Sequence, residues 1–441
     1  MNSREWVARN LATALLAGDW TLPELLARTS DVLGPAAPKS QRALIQELLD
    51  RVSTAYPPAP SWLVEYFLGS RRFDRASEHV RKGAARLPAV LQSPQFSPAP
   101  RFQDLDVPRL ATSGDLAAWL ELTMGQLEWL ADVRDQHRRT ATPLLQHYAY
   151  AFVPTRFGPP RLIESPKPRL KAIQRRFLRA ILDRVPVHDR AYGFVAGRSC
   201  LGAAQAHAGE ALVATVDLKD FFLNTPLRRV HGLFRSIGYP WAVARLLIGL
   251  CSSSTPPSVF MALPEHGRHD WLTRKVYESP HLPQGAPTSP ALANLAAWQL
   301  DARLHGLAKS FDANYTRYAD DLAFSGDERF ARGIKSFLAA VADIARDEGY
   351  TLNDRKTRIM RRGGCQRVTG LVVNDHLNVA RAGYDRLKAT LHNCAKNGPQ
   401  AENRADLPDF RAHLEGRVVW MENVNRLRGE RLRRMFEEIR W

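Results

Sequence analysis

Residues Asn314–Gly326 read NYTRYADDLAFSG. A β-favouring stretch, Tyr315, Thr316, Arg317 and Tyr318, leads into two adjacent acids, Asp320 and Asp321, and an apolar stretch, Leu322, Ala323 and Phe324, leads out. The pattern predicts a tight hairpin with both carboxylates at its turn. Adjacent carboxylates repel one another, and no glycine eases the turn. Two negative charges held there mean either a solvent-facing turn cap or a site that receives a cation.

The rest of the chain narrows that choice. Its 441 residues are enough for two or three domains and a sizeable core. A hydrophobic content of 45% with 24% charged residues is that of a globular chain. No apolar run approaches the roughly 18 residues of a membrane span. The opening MNSREWVARNLATALL carries Glu5 and no uninterrupted apolar region, unlike a signal peptide. Cys200, Cys251, Cys365 and Cys394 are far apart without CxxC spacing, so neither a zinc site nor a disulfide frame is expected. A cytoplasmic protein with no membrane partner is the expectation. The net charge of +17 is unevenly placed: residues 151–200 and 351–441 each carry +8, 1–150 carry +1, and 201–350 are neutral. Arginine dominates both basic blocks, and its planar fork suits phosphate. A solvated basic surface is the bland reading, and nucleic-acid binding the sharper one.

Spacing predicts helices over 1–55, through Leu11, Leu15, Leu16, Leu44, Leu48 and Leu49, and again over 62–91. The prolines of YPPAPSW (56–62) separate the two, and 91–110 reads as a Pro-rich linker. One amphipathic helix opened by a Ser cap is expected over 113–136. HYAYAFVPTRFGPPRLIESPKP, from His147, alternates on either side of Gly158-Pro159-Pro160, as a hairpin does. A helix over 169–185 turns Ile173, Phe177, Ile181 and Leu182 inward. EALVATVDLKDFF (210–222) is a buried-type strand ending at Asp217, and a Gly/Pro loop leads into a helix over 279–304. Asp217 and the pair Asp320–Asp321 are thus three carboxylates at strand ends, and bringing them together requires a neutralising cation. Mg²⁺ takes oxygen ligands and shares them with substrate phosphates. Two such ions about 4 Å apart clamp the attacking and leaving oxygens of a phosphoryl transfer.

YADD between two strands resembles the polymerase motif of reverse transcriptases. The resemblance continues in order through VDLKDFF, LPQGAPTSPALANL, LNDRKT and RVTGLVVN in the palm, and through GPPRLIESPKPRLKAIQRRFLRAIL and AYGFVAGRS in the fingers. It covers roughly 113–441. LPQGAPTSP, the VTG at 368–370 and the lack of a maturase or endonuclease tail point, within the bacterial branches, to retron enzymes. One departure stands out: where retron enzymes carry Asn-Ala-x-x-His, AAQAH (203–207) keeps Ala204 and His207 but has Ala203 for the Asn.

The resemblance implies an α+β right-hand polymerase fold: fingers, a palm whose antiparallel sheet has helices on one face, and a helical thumb, after an N-terminal helical extension. The boundaries expected are 1–110 extension and linker, 111–200 N-terminal helix and fingers, 201–375 palm, and 376–441 thumb. It implies an RNA-directed DNA polymerase using two Mg²⁺ ions. Asp217, Asp320 and Asp321 would be the catalytic and metal-holding carboxylates, with the Leu218 carbonyl as a further oxygen. Arg156 and Arg161 would reach the triphosphate, Gln284 and Gly285 would line the incoming nucleotide, and Lys356 would protonate pyrophosphate. Gly285 fits an ordinary Pro-Gln-Gly turn equally well, and Lys356 a plain surface lysine. Phe222, five residues after Asp217, lies where the family places the side chain that excludes a 2′-hydroxyl; as neighbours on a strand, Phe221 and Phe222 should face opposite ways. Val368, Thr369, Gly370, Arg426, Arg428, Arg431, Arg433 and Arg434 would bind RNA, while His207, Tyr192 and Trp420 read as packing. The implied partners are a structured noncoding RNA as template and primer, the RNA–DNA hybrid, deoxynucleoside triphosphates and a defence effector protein. Retron behaviour would add priming from a 2′-hydroxyl, branched RNA–DNA (msDNA) and a role against phage. The alternatives are another bacterial reverse transcriptase, of abortive-infection or intron-derived type, and a catalytically silent RNA-binding protein on the same scaffold.

Overall fold

The structure is a computed structural model and describes residues 3–16, 20–35, 37–52, 58, 60–81, 94–132, 136–137, 140, 142–155, 159–261 and 270–441. The chain forms two compact units: Met1–Pro186 with Phe222–Ala296, and Val187–Phe221 with Ala297–Trp441.

The first unit opens with helices α1 (Ser3–Leu16), α2 (Leu22–Leu33), α3 (Pro38–Arg51), α4 (Pro60–Gly69) and α5 (Arg71–Arg81). Pro23 and Pro38 lie in the first turns of α2 and α3, where the missing N–H costs nothing. These helices enclose their own core of Leu11, Leu15, Leu44, Leu48, Phe67 and Phe73. The helix expected over 62–91 is broken at Ser70, whose hydroxyl accepts from the Phe73 amide and starts α5; residues 82–91 lie outside the described ones. The expected linker is docked rather than free from residue 94 onward. Ser97 and Ala99 donate their amides to Gly238 and Ser236, both at 2.9 Å, and Phe96 meets Tyr239 edge-on. The single helix expected over 113–136 is two, α6 (Ser113–Trp119) and α7 (Met124–Leu130). Each has its own capping box, Thr112 with Asp115 and Thr123 with Gln126, and Glu121 between them is left-handed at φ 59°. Two start signals outweigh one continuous apolar stripe.

Strands β1 (Tyr148–Val153) and β2 (Arg161–Pro166) pair in antiparallel register, Tyr148 opposite Pro166 and Val153 opposite Arg161. The helix that follows, α8 (Pro168–Ala180), buries Ile173 and Phe177, with Ile181 and Leu182 buried just beyond its end. The later part of this unit holds α11 (Leu227–Ile237), α12 (Trp241–Cys251), α13 (Pro257–Met261), α14 (Trp271–Glu278) and α15 (Ser289–Ala296).

In the second unit β3 (Leu212–Asp217), β4 (Asn314–Tyr318), β5 (Asp321–Gly326) and β6 (Arg358–Arg361) form one antiparallel sheet in the order β4-β5-β3-β6. Directly opposed residues share a face. Ala214, Phe324 and Tyr315 face one way, towards the long helices α16 (Trp298–Ser310) and α17 (Glu328–Asp347), where Phe337 meets Phe324 edge-on at 5.0 Å. The opposite face is not bare. Val213 and Ala323 pack with Ala204 of the short helix α9 (Cys200–Gln205) and with Val368 and Leu371 of a hairpin, β7 (Arg367–Val368) and β8 (Leu371–Val372).

Helices α18 (Arg381–Asn397), α19 (Phe410–Val424) and α20 (Arg426–Glu437) share a core of Leu387, Leu391, Leu414, Val418, Leu432 and Phe436. Asn425 separates the last two by capping the Arg428 amide. Gly429 lets them touch, since a Cβ there would strike the Glu422 backbone. Trp420, expected to pack, is 39% exposed. Among the described residues no helix is long and apolar enough to cross a membrane.

Candidate active site

The hairpin tip and the end of β3 come together as the sequence pattern requires. Asp217 and Asp321 are direct cross-strand partners, so their side chains lie on one face, and the Leu218 amide donates to the Asp320 carbonyl at 2.9 Å. Like charges placed opposite each other destabilise a sheet. Asp217 is buried, and its Oδ2 accepts from Lys356 Nζ at 2.7 Å. The Asp321 carboxyl is pushed up to about 6, by crowding of the carboxyl by protein atoms and then by the charges of Asp320 and Asp217, with Lys356 opposing. That crowding coexists with residue surface open to solvent. Burial alone would lower the Lys356 ammonium; its bond to Asp217 and the three aspartate charges outweigh burial and hold it up. The site is therefore short of positive charge, with one lysine against three acids.

No three or more His, Cys, Asp or Glu side chains among the described residues are grouped closely enough to hold a metal ion as they stand. The donor set nevertheless fits a hard divalent cation: two opposed carboxylates, a third on the adjoining turn residue, and main-chain oxygens, with a raised carboxyl that a cation would relieve.

The turn itself is strained and braced. Ala319, at φ 57°, occupies a left-handed position that hairpins usually give to glycine, a cost of about 1–3 kcal/mol. Gly193 packs against it so closely that a Cβ would strike the Ala319 amide. Arg317 braces it from the other face of the sheet. Its Nη1 donates to the Ala319 carbonyl at 3.1 Å, while Nε and Nη2 clamp Asp301 on α16 at 2.7 and 2.6 Å. Both side chains are fully buried, and the Tyr315 hydroxyl donates to the same carboxylate at 2.7 Å. The bond between strand residue, turn carbonyl and helix fixes where Asp320 sits. Sequence reading passed over Asp301 and Arg317 as chemistry; the signal was a charge beside Leu300 and Leu304 on an apolar helix face, matched by an arginine inside an apolar strand.

On the sheet's acid-bearing face, His207 bridges β5 and β4, its Nδ1 2.7 Å from Ser325 Oγ and its Nε2 2.8 Å from Thr316 Oγ1. Ala203, where an Asn was expected, is fully buried. Phe221 and Phe222 begin a short helix, α10 (Phe221–Asn224), instead of continuing β3, because Asp220 turns the chain at φ 49°. They still differ: Phe221 is buried beneath Arg317 and beside Tyr350, and Phe222 is half-buried.

In the other unit, Arg161 is exposed at the start of β2, and Arg156 lies outside the described residues. Gln284 is half-buried, and its carbonyl accepts from the Glu164 amide at 2.8 Å. Gly285 has φ 134°, and a Cβ there would lie 2.8 Å from the Glu164 carbonyl oxygen, so the glycine is required by close approach.

Thr369 and Gly370 are the two-residue loop of the β7–β8 hairpin, with φ 49° and 85°, both positive as in a type I′ turn. Val368 is buried in the core, so its side chain is not presented to RNA. Arg426, Arg431 and Arg434 are exposed on α20, Arg428 bonds Asn378 and lies over the Tyr384 ring, and Arg433 is tied to Glu422 and Glu415.

Residues 154–390 match the family model described as reverse transcriptase (RNA-dependent DNA polymerase). The chain is 39% identical over 329 residues to the Retron Mx65 reverse transcriptase of Myxococcus xanthus, covering 74% of this chain and 72% of that one. It is 41% identical over 305 residues to the Retron Mx162 reverse transcriptase of the same organism, covering 66% and 60%. Against the Retron Ec86 reverse transcriptase of Escherichia coli the identity is 33% over 243 residues, covering 54% and 67%. With Asp217 opposed to Asp321 across the sheet, Asp320 on the adjoining turn and a family match over residues 154–390, this chain belongs to the reverse transcriptase family, in its bacterial retron-like branch, and is an RNA-directed DNA polymerase.

Proposed function

We propose that the chain copies a cognate structured noncoding RNA into DNA from a 2′-hydroxyl of that RNA, as a retron enzyme making branched RNA–DNA (msDNA) that serves antiphage defence with an effector protein. The observation that carries the catalytic part is the cross-strand pair Asp217–Asp321 with Asp320 on the adjoining turn. The retron part is supported by the likeness to relatives so named.

Asp217, Asp320, Asp321 and the Leu218 carbonyl would hold two Mg²⁺ ions, which when bound lower the pKa of the primer hydroxyl and stabilise charge on the phosphorus. The chain's own groups do the rest. Arg317 and Asp301 keep the turn in place while the charge around it changes. Lys356 holds a proton above the aspartates, where it neutralises Asp217 in the resting enzyme and can be given to the departing pyrophosphate. Arg161 and the Gln284–Gly285 loop would receive the triphosphate and base of the incoming deoxynucleotide, and Phe222 would exclude a 2′-hydroxyl. The exposed arginines of α20 and the Thr369–Gly370 tip would contact RNA, the first through phosphate and the second by shape. The extension, fingers, palm and thumb would follow the boundaries 1–110, 111–200, 201–375 and 376–441.

Primer extension on an RNA template with Asp320→Asn or Asp217→Asn tests the catalytic reading. Loss of synthesis by about a thousandfold, the scale of removing one charge-stabilising group, with RNA binding retained, is expected; near-parental extension refutes it. Exchanging residues 366–441 with those of a related enzyme tests recognition: cognate RNA preference should move with the segment.

A further inference from the structure

Away from the aspartates, one ion pair is fully buried where a loop meets a strand. His281 Nε2 lies 2.7 Å from Glu164 Oε2, and the two side chains are 1% and 0% exposed. Thr255 Oγ1 donates to Glu164 Oε1 at 2.9 Å, and His281 Nδ1 lies 2.8 Å from the Ser279 carbonyl oxygen. A carbonyl oxygen only accepts, so Nδ1 carries a hydrogen. Nε2 faces a carboxylate, so one further proton is shared across that contact, whichever atom holds it. The group is satisfied only as a pair.

Such a pair is a poor way to stabilise a core, because desolvation of the charges offsets their attraction and apolar residues would serve as well. What it supplies is direction. Residues 281–285 contact Glu164 at three points: the His281 ring at its carboxyl, the Gln284 carbonyl at its amide, and Gly285 against its carbonyl oxygen. His281 is itself fixed by exchanging both main-chain hydrogen bonds with Ser253 at 3.0 Å. Glu164 sits three residues after Arg161 on β2, on the buried side of the strand's alternation while Arg161 is exposed. The pair therefore couples the strand carrying Arg161 to the loop carrying Gln284.

We propose that Glu164 and His281 are positioning residues for the incoming deoxynucleotide, setting the distance between Arg161 and the Gln284–Gly285 loop. This rests on the reading of that loop as nucleotide-facing. Neither residue touches substrate; they act through the two that do. Displacing a binding group by an ångström through a remote change is enough to weaken a complex severalfold. Because the loop binds the nucleotide before and during chemistry alike, the loss should fall on KM and not on kcat.

The test is steady-state single-nucleotide incorporation on a fixed primed RNA template, with deoxynucleotide varied, on full-length protein. Glu164→Ala should raise the deoxynucleotide KM by about tenfold with kcat within about twofold. Glu164→Gln keeps a hydrogen-bonding group of the same shape and should return KM to within about twofold of the parent. Thr255→Val removes one bond and leaves the pair, and should raise KM by about two- to threefold. Gln284→Ala is the reference for the loop. If it leaves KM at the parental value, the nucleotide-facing reading fails and the proposal with it. If Gln284→Ala raises KM while Glu164→Ala lowers only thermal stability, the loop reading stands and the positioning role is refuted. Should Glu164→Ala not fold, the other two decide: KM unchanged in Thr255→Val, or raised tenfold in Glu164→Gln, overturns the proposal.

Discussion

Two loops of this polymerase are each held from behind by a buried ion pair, and the pairs differ in kind. Behind the Ala319–Asp320 turn stands Arg317 with Asp301, a bidentate clamp on a guanidinium that cannot lose its charge at any working pH. Behind the Gln284–Gly285 loop stands Glu164 with His281, which share a proton and can both become neutral by moving it. The first loop is strained, carries Asp320 and leads into Asp321, so its brace must keep its charge while the charge in front of it changes. The second is a glycine turn lying flush on a strand, with no strain to contain beyond the close approach that Gly285 already accommodates.

The comparison breaks if the two braces prove equally costly to cut. Arg317→Leu leaves Asp301 buried without its cation, a loss of about 3–5 kcal/mol. His281→Leu removes one partner but leaves the Thr255 hydroxyl donating to Glu164, so the loss should be smaller, about 1–3 kcal/mol. Denaturant unfolding of the two variants at neutral pH measures both, and equal losses would remove the distinction between a fixed and an adjustable pair.

Replacing the clamp whole sharpens the point. Arg317→Met combined with Asp301→Leu and Tyr315→Phe removes both charges together with the hydroxyl that bonds Asp301, and such exchanges are often neutral for stability. Stability should recover to within about 1–3 kcal/mol of the parent, the cost of the Ala319 carbonyl left without its donor, while kcat stays low by up to about a hundredfold because the turn is no longer held. Full recovery of kcat would mean that the clamp serves folding alone.

Phe222 lies outside both braces and should separate selectivity from positioning. Phe222→Ala should lower the preference for deoxy- over ribonucleotides by roughly ten- to hundredfold, the value of one bulky contact in a pocket. The kcat for deoxynucleotides should change far less than that ratio, and the melting temperature should fall only by what a half-buried ring contributes. An unchanged ratio in competing single-nucleotide assays would reassign Phe222 to packing.

What the sequence made legible follows from which signals are local. The hairpin at 314–326 was readable because alternation and an acid pair lie within thirteen residues, and β3 because its apolar run stops at Asp217. The helix split at 120–123 was missed because a continuous apolar stripe conceals a second capping box. The docked segment at 94–99 was missed because prolines suggest a linker, while its partners Ser236 and Gly238 are some 140 residues away in sequence. The braces stayed hidden for the same reason: Asp301 and Arg317, or Glu164 and His281, look like ordinary charges until the fold buries them together. Val368 is the reverse case, a motif residue read as RNA-facing whose side chain the hairpin turns into the core.

His207 offers the smallest and most specific effect. It is buried between the hydroxyls of Ser325 and Thr316, and burial, with a contribution from Arg190, lowers its pKa to about 3. The folded state therefore keeps this imidazole neutral where the unfolded chain, titrating near 6.5, takes up a proton. Its contribution to stability is complete above pH 6.5 and is lost as pH falls from 6.5 towards about 3. Within that window it adds about 1.4 kcal/mol of destabilisation per pH unit, one proton's worth. His207→Gln keeps groups that can bond both hydroxyls and removes the titration, so the variant should lose stability less steeply between pH 6 and pH 4 by about that amount. His137, lowered to about 4 mainly by burial in the other unit, titrates in both proteins and cancels in the difference. Parallel stability–pH curves for parent and variant would show that His207 already carries a proton in the folded state. Its two hydroxyl partners would then both be accepting from it, and the β4–β5 end of the sheet would rest on a buried charge and not on a neutral bridge.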